Sequence, residues 1–556
     1  MDDPAMPQLA ADNARSLPHR RGTLAWLDGW LLVGVVVIIA LPYLQMYDDS
    51  LLCLDDADYL GREVRRGITW QNVRWAFGYH EANWHPLTWL SHMVDWQLAP
   101  MHSGWFKFHN LLLHLGSVTL FFLFLRRAGE PSVYAALATL VFGVHPLRVS
   151  SVAWVAERKD CLCVFFCVAT MLAYQAYATR TSWGRYVLVT VLMALAMMAK
   201  PLAVSLPIGL LLLDVWPLER TGKRDAAGIL ALAAEKVPWM LMAGGLAWLT
   251  MQAQAAGGAI DEAAPLWFKL QQTVMSYGIY AWQLFVVGGH AVLYPIPAGL
   301  QVPTAWVFAV GAGLLGATAV AVNSWRTRPW LFAGWFWFVL VTFPMSGMVT
   351  IGEHSHADRY TYLPHLVLLA ALGRQLRAWG WLEDSRTRVR CVAWAAVVAF
   401  CITLAVVTTD WVACWQDSEK VFSRSLEMTG PNEPVLRMLG VYYELLGEPD
   451  AALRCFELAV DCDKTAAGSQ SLRIRRLARN GRYADAERLW SGLVATEPEA
   501  ATAVAELLWK WDADDPHAED RLPFVWEHLR TIAESKGDAP LLHALDERLE
   551  REQSGG

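Results

Sequence analysis

Charge is scarce in this sequence. Asp, Glu, Lys and Arg make up 18% of the 556 residues, where a soluble chain carries about 25%. The shortage is local. From Trp411 onward there are 27 acids and 17 bases, an ordinary soluble density, and the longer stretch before it holds only 26 acids and 29 bases. That distribution excludes a wholly soluble chain and a disordered one; it predicts a membrane body followed by an acidic, water-soluble tail. Cysteine is sparse as well. The nine cysteines show no even, dense spacing, which excludes a disulfide-built fold. Cys161, Cys163 and Cys167 sit in an apolar run and read as small buried hydrophobes. Cys455 and Cys462 fall i, i+7 on one helix, too far apart to pair. No Walker loop, dinucleotide glycine fingerprint, zinc-finger spacing or nucleophile elbow occurs. With a net charge of −7, nucleic acid is not an expected partner.

What the body does have is long apolar runs. Eleven can cross a bilayer, near residues 25–45, 106–125, 133–147, 161–178, 186–199, 202–218, 236–252, 303–322, 330–348, 361–378 and 391–411. The stretch 267–287 is amphipathic at its start and reads as interfacial. Leaving it out sets the parity. Arg15, Arg20 and Arg21 then share a side with the short loops carrying Arg126-Arg127, Arg180 and Arg185, Arg220 with Lys223-Arg224, Arg326 and Arg328, and the arginines from 374 to 390. That is the positive-inside pattern. It predicts a cytoplasmic tail over 1–24, a multispan domain over 25–411, and a soluble domain over 412–556 on the opposite, outer side.

The uncommon polar groups gather in the outer loops. The first, 46–105, holds Asp55-Asp56 in the half-apolar "LLCLDDADYL", where two adjacent carboxylates suit a general base with an orienting or cation-binding neighbour. The bland reading is a solvated loop start, and it fits Asp48-Asp49 better. In "WHPLTWLSHMVDW" a helix would place His85, Trp89, His92 and Trp96 on one face, an amphipathic segment lying on the membrane. The loop at 145–160 carries His145, Glu157, Arg158, Lys159 and Asp160. Arg forks onto phosphate and Lys acts as a point charge, so Arg158 and Lys159 suit an anionic headgroup; an interfacial cluster that snorkels is the alternative. Lys200, between two apolar runs, is a functional candidate by its position. Arg359 in "HADRYTYLP" is a further phosphate contact. Glu353, His354, His356 and Asp358 carry metal-ligand chemistry without a fixed spacing, which leaves a metal site unassigned.

The tail repeats itself. Gly447, Ala452, Phe456 and Ala459 recur as Gly481, Ala486, Trp490 and Leu493, always 34 residues on. That is the tetratricopeptide period, with glycine at the inter-helix turn and alanine where paired helices approach. Such arrays present concave surfaces to peptides, so the tail predicts a protein partner.

In order along the chain, the Asp-Asp pair opening a long first outer loop, "ANWHPLTWLSHMVD", "GVHPLRVSSVAWVAERKD", "MMAKPLAVSLP", "LYPIP", "HADRYTYLP" and the terminal repeats resemble the transmembrane and tetratricopeptide-repeat O-mannosyltransferases, and in particular their shorter bacterial relatives. The resemblance runs from about Leu24 to Val494. It implies an all-α C-type membrane glycosyltransferase fold of about eleven spans with outer-side amphipathic helices and a C-terminal α-solenoid. It also implies transfer of a sugar, mannose in the family, from a polyprenyl-phosphate carrier to a hydroxyl acceptor with inversion. Asp55 or Asp56 would be the base, with Asp56 favoured, and Arg158, Lys159, Lys200 and Arg359 would hold the donor phosphate. His85, His92, His145, Glu157, Asp160, His354 and Asp358 would be supporting polar groups. The lipid-linked sugar is the donor, a divalent cation is compatible with the site, and the repeats would recruit the acceptor protein. The expected place is a bacterial inner membrane with the site and tail in the periplasm, or the ER membrane with a lumenal tail in a eukaryote. The tail holds about two clear repeats against the long arrays of the animal members. That leaves open a lipid or cell-surface glycan as acceptor, or a non-catalytic scaffold.

Overall fold

The computed structural model describes residues 26–46, 55–100, 102–221, 226–256, 265–296, 302–348, 354–464, 466–514 and 522–554. Asp48, Asp49, Cys53, Lys223, Arg224, Glu353 and the N-terminal arginines lie outside them.

The fold is helical, and each of the eleven apolar runs forms a helix. The body begins with α1 (Trp26–Ala40), then α2 (Pro86–Leu98), α3 (Ser103–Arg127) and α4 (Ser132–Val144). It continues with α5 (Arg158–Thr179), α6 (Trp183–Ala199), α7 (Leu206–Val215), α8 (Ala226–Ala256) and α9 (Leu266–Gln283). It closes with α10 (Thr304–Asn323), α11 (Pro329–Thr342), α12 (Pro364–Trp379) and α13 (Thr387–Cys414). Among the described residues six segments are long and apolar enough to cross a membrane, and a seventh is reached if the pair bent by 54° after Val144 is one span. The chain is a multi-pass membrane protein. The expected count of eleven full-length spans is not reproduced, because several runs are cut short. Proline follows His145, Lys200, Phe343 and Leu363; it removes a backbone donor and crowds the preceding turn. Several of these breaks face one another at the same end of the bundle, where Pro201 and Pro344 border a common cavity.

The uncertain stretch 267–287 contains α9. Near its start Gln272 donates to the Ser355 carbonyl at 2.8 Å, and at its end Gln283 donates to Asp358 at 2.9 Å. Both halves therefore contact one loop, as a helix lying along that end of the body would. β1 (Tyr294–Pro295) and β2 (His354–His356) pair antiparallel beside it.

At the far end several of the arginines are held in ion pairs. Arg126 pairs with Asp28 at 3.0 Å, and Arg377 with Glu130 at 3.2 Å. Asp214 and Lys236, both fully buried, pair at 2.6 Å, with Arg220, Glu235 and Tyr174 completing the cluster. Paired and hydrogen-bonded, these charges tolerate burial that would be costly singly.

The tail helices follow as α14 (Ser418–Thr429), α15 (Glu433–Leu445), α16 (Pro449–Cys462), α17 (Ala467–Arg479), α18 (Tyr483–Thr496), α19 (Pro498–Asp514), α20 (Pro523–Lys536) and α21 (Ala539–Ser554). The turns α15–α16 and α17–α18 hold Gly447 and Gly481 at φ of 75° and 73°, a left-handed backbone that favours glycine. Ala452 and Ala486 are wholly buried at the helix crossings. The tail is not joined through a loose linker. Val421, Phe422, Val435, Leu439 and Cys455 belong to the same buried core as Trp411 and Trp415 at the end of α13. A separate core runs from Leu453 to Leu545.

Gly440 tests the hairpin packing. A Cβ there would fall on the Phe456 ring. Gly440→Val is expected to lower the stability of the full-length protein by about 1–3 kcal/mol through overpacking, read as a drop in melting temperature.

Candidate active site

A cavity of about 290 Å³ lies at the proline-broken end. Its wall is assembled from eight separate parts of the chain: the first loop, the turn into α5, the α6–α7 break, the end of α8, α9, the residue after β1, the break after α11, and the β2 loop with its 3₁₀ turn.

The two acids of the first loop divide. Asp56 begins a one-turn helix (Asp56–Tyr59), is fully buried, and accepts the Ala156 N–H at 2.9 Å. It ties the loop to the turn before α5 and does not line the cavity. Asp55, exposed and immediately before that helix, does line it. Adjacent residues at a helix start project about 100° apart, so one of a neighbouring pair can anchor while the other faces the space. Burial and the charge of Asp55 raise the carboxyl pKa values of Asp58 and Glu81 above the usual range.

Opposite in charge is a cluster around Glu157. Its carboxylate lies 3.2 Å from Lys159 Nζ, 3.1 Å from Arg359 and 3.6 Å from Lys200. Lys200 also pairs with Asp160 at 2.6 Å, and Ser151 donates to Asp160 at 3.1 Å. Lys159 donates to the Tyr59 hydroxyl at 3.2 Å and lies 4.5 Å from the centre of that ring. Arg359 stacks 5.1 Å from Trp154 and 5.2 Å from Tyr360. These are three cations against two carboxylates. Lys159, Lys200, Arg359 and Glu157 all line the cavity with Asp55.

Arg158 does not join them, which corrects the expected phosphate contact. It follows Glu157 by one position and faces α2 and α3. There it pairs with Asp95 at 2.7 Å, donates to the Ser91 hydroxyl and the Phe106 carbonyl at 2.8 Å, and bonds Asn110. Fully committed, it pins the body and has nothing left for a ligand. His92 also lies off the cavity, its ring between Tyr59 and Phe106. His145 stays at the α4 break, where its ring accepts the Leu147 N–H at 3.4 Å. Asp358 accepts from Gln283 and Tyr294 and pairs with His290 at 2.8 Å, holding the loop in place. His85 and His354 do line the cavity. His354 bonds the Tyr360 hydroxyl at 2.8 Å, and His356 bonds Ser355 and stacks on Tyr294. The acids and histidines at 354–358 are thus dispersed among separate partners, and among the described residues no group of three metal-ligating side chains comes together.

Sequence reasoning missed Asn83, Gln254, Gln272 and Tyr360, which also line the cavity. The amphipathic start of 267–287 was the available signal for Gln272.

Three histidines give this end a pH dependence. Burial lowers His354 to about 3 and His356 to about 4, and burial with the nearby lysines holds His85 well below its usual range. The unfolded chain, with histidine near 6.5, takes up these protons first. Stability is therefore full above about pH 6.5 and is lost as pH falls toward the folded values. The expected slope is on the order of 1 kcal/mol per pH unit for each histidine, measurable as melting temperature between pH 7 and 5.

Against known proteins, no family description matches the chain. Protein O-mannosyl-transferase Tmtc1 of Drosophila melanogaster is 26% identical over 201 residues, 34% of this chain and 23% of that protein. Protein O-mannosyl-transferase TMTC4 of Homo sapiens is 29% identical over 166 residues, 26% of this chain and 22% of that protein. The chain thus spans under a quarter of the length of these curated relatives. Among solved structures, the S. cerevisiae protein O-mannosyltransferase Pmt1-Pmt2 complex bound to the sugar donor matches 42% of this chain and 35% of that one, at 16% identity and a TM-score of 0.31.

Proposed function

We propose that this relative of the transmembrane and tetratricopeptide-repeat O-mannosyltransferases moves a sugar, mannose by that kinship, from a polyprenyl-phosphate carrier to a Ser or Thr hydroxyl of an exported protein. The observation that carries the reading is one carboxylate and a net-cationic cluster on the same cavity wall. Lys159, Lys200 and Arg359 against Glu157 and Asp160 leave one positive charge. That matches the single negative charge of a sugar phosphodiester and would stabilise the charge that grows on the leaving phosphate.

The step is a single in-line displacement. The acceptor oxygen bonds to the anomeric carbon as the bond from that carbon to the phosphate oxygen breaks, and its electron pair stays with the lipid phosphate. The hydroxyl proton passes to Asp55, because a neutral hydroxyl is a weak nucleophile without a base in reach. Attack opposite the leaving group inverts the anomeric centre. Asp56, turned away onto Ala156, is a positioning residue for Asp55.

On the same reading, residues 25–411 form the catalytic membrane domain and 412–556 a tetratricopeptide-type domain that recruits the acceptor. The cavity end faces the periplasm of a bacterial inner membrane. The test is transfer from labelled polyprenyl-phosphate-mannose by purified membranes, with Asp55→Asn and Arg359→Ala beside the unsubstituted protein. Activity in the unsubstituted protein that both variants lose supports the reading. Transfer undiminished in both, at equal protein level, sinks it.

A further inference from the structure

Before α2 the chain makes a tight turn that ordinary residues resist. His80 and Asn83 pair through two backbone hydrogen bonds of 3.1 and 2.9 Å. Between them Glu81 and Ala82 sit at φ of 49° and 54°, a left-handed backbone unfavourable for side chains larger than glycine's. The turn is braced: His80 stacks on Trp75 with ring centres 3.8 Å apart, and Trp84 donates to the Phe77 carbonyl at 3.0 Å. Two residues on, the His85 carbonyl starts α2 by accepting the Thr88 and Trp89 N–H groups. Thr88 then donates to the Ala199 carbonyl at 3.1 Å, which sets the helix start beside Lys200.

The consequence is that Asn83 and His85 both border the cavity. His85 is only 2% exposed, and neither of its ring nitrogens has a hydrogen-bond partner. Buried polar groups are almost always paired, and one that is not calls for a reason. His92, equally unpaired, has an apolar one, since it packs between Tyr59 and Phe106 away from the space. His85 has no such excuse. With its pKa held well below the usual range by burial and then by Lys159 and Lys200, the ring is neutral, with one donor and one acceptor nitrogen. That is poor chemistry for a phosphate beside three better cations. It suits hydroxyls, which both donate and accept.

Resting on the transferase reading above, we infer that His85, with Asn83, reads the hydroxyls of the transferred hexose and makes the site selective among sugars. The cavity is thereby divided. The Glu157 cluster takes the phosphate, and the Asn83–His85 wall takes the ring.

The experiment uses the full-length protein in detergent with two donors, polyprenyl-phosphate-mannose and polyprenyl-phosphate-glucose, which differ in the configuration of one hydroxyl. Sugar-free polyprenyl phosphate is titrated separately as a binding probe. His85→Ala is expected to lower kcat/KM for the preferred donor on the order of 10-fold or more and to flatten the preference between donors. Binding of the sugar-free lipid should stay within about 3-fold. His85→Gln, which keeps a donor and an acceptor, should recover part of the preference. If His85→Ala weakens the sugar-free lipid as much as the donor, or leaves the preference intact, His85 does not read the sugar. If the unsubstituted protein transfers from neither donor but binds the sugar-free lipid, the transferase reading falls first, and this inference with it.

Discussion

Asp55→Asn is expected to reduce sugar transfer by about 10²–10⁴-fold, the usual contribution of a general base, with little change in melting temperature. Asparagine preserves the shape of a side chain that is exposed on the cavity wall, so the loss would be of proton acceptance and not of fold. Asp56→Asn should do the reverse. Its amide oxygen can still accept the Ala156 N–H, but a buried –NH₂ replaces a carboxylate oxygen and needs acceptors of its own, at a cost of about 1–3 kcal/mol. Its transfer should fall only as far as Asp55 is displaced. Initial rates from a labelled lipid donor, beside thermal unfolding of the same preparations, separate the two. Loss of transfer in Asp56→Asn at an unchanged melting temperature, with Asp55→Asn still active, would reverse the assignment.

Lys200→Met is expected to act on both stability and binding. The ammonium is held by Asp160 at 2.6 Å and Glu157 at 3.6 Å, all three side chains being buried. Removing it leaves Asp160 without its ion-pair partner, while Glu157 keeps Lys159 and Arg359; breaking a buried pair costs about 3–5 kcal/mol. It also turns a cluster of net charge +1 into one of net charge 0, so donor affinity should fall along with the melting temperature. The pair Lys200→Met with Asp160→Asn distinguishes the effects. Neutralising the stranded partner should return much of the stability, a coupling readable by double-mutant cycle, and should restore the net charge of the cluster. What it cannot restore is a donor at the Lys200 position. If the double variant recovers transfer fully, Lys200 is a structural partner of Asp160 and no contact of the phosphate.

The charged part of the cavity was legible in the sequence because charge is costly in a membrane. The acids, bases and histidines of the loops after the first, fourth, sixth and eleventh helices stood out against apolar neighbours, and Asp55, Glu157, Lys159, Lys200 and Arg359 do share one cavity. Which member of a neighbouring pair faces inward was not legible. Asp55 and Asp56, or Arg158 and Lys159, differ by one step around a helix, and composition carries no sign of that phase. The neutral wall was hidden for another reason. Asn83, Gln254 and Gln272 are ordinary residues for loops and helix ends, and only the folded chain collects them. The length of each helix was not legible either, because a run of apolar residues measures length, whereas a proline at its end decides how much of that run stays one helix.

The tail's shared core with the end of α13 has a consequence for which hydroxyls are reached. A flexible tether spreads its cargo over a wide volume and presents many positions at low effective concentration. Here Val421, Phe422, Val435 and Leu439 are packed into the body, so the first hairpin has little freedom to swing. Anything the tail grips, on the transferase reading, would be offered to the cavity at a set distance and angle. The tail would then work as a ruler: the number of residues between the gripped segment and a serine or threonine would decide its fate more than the residues flanking it.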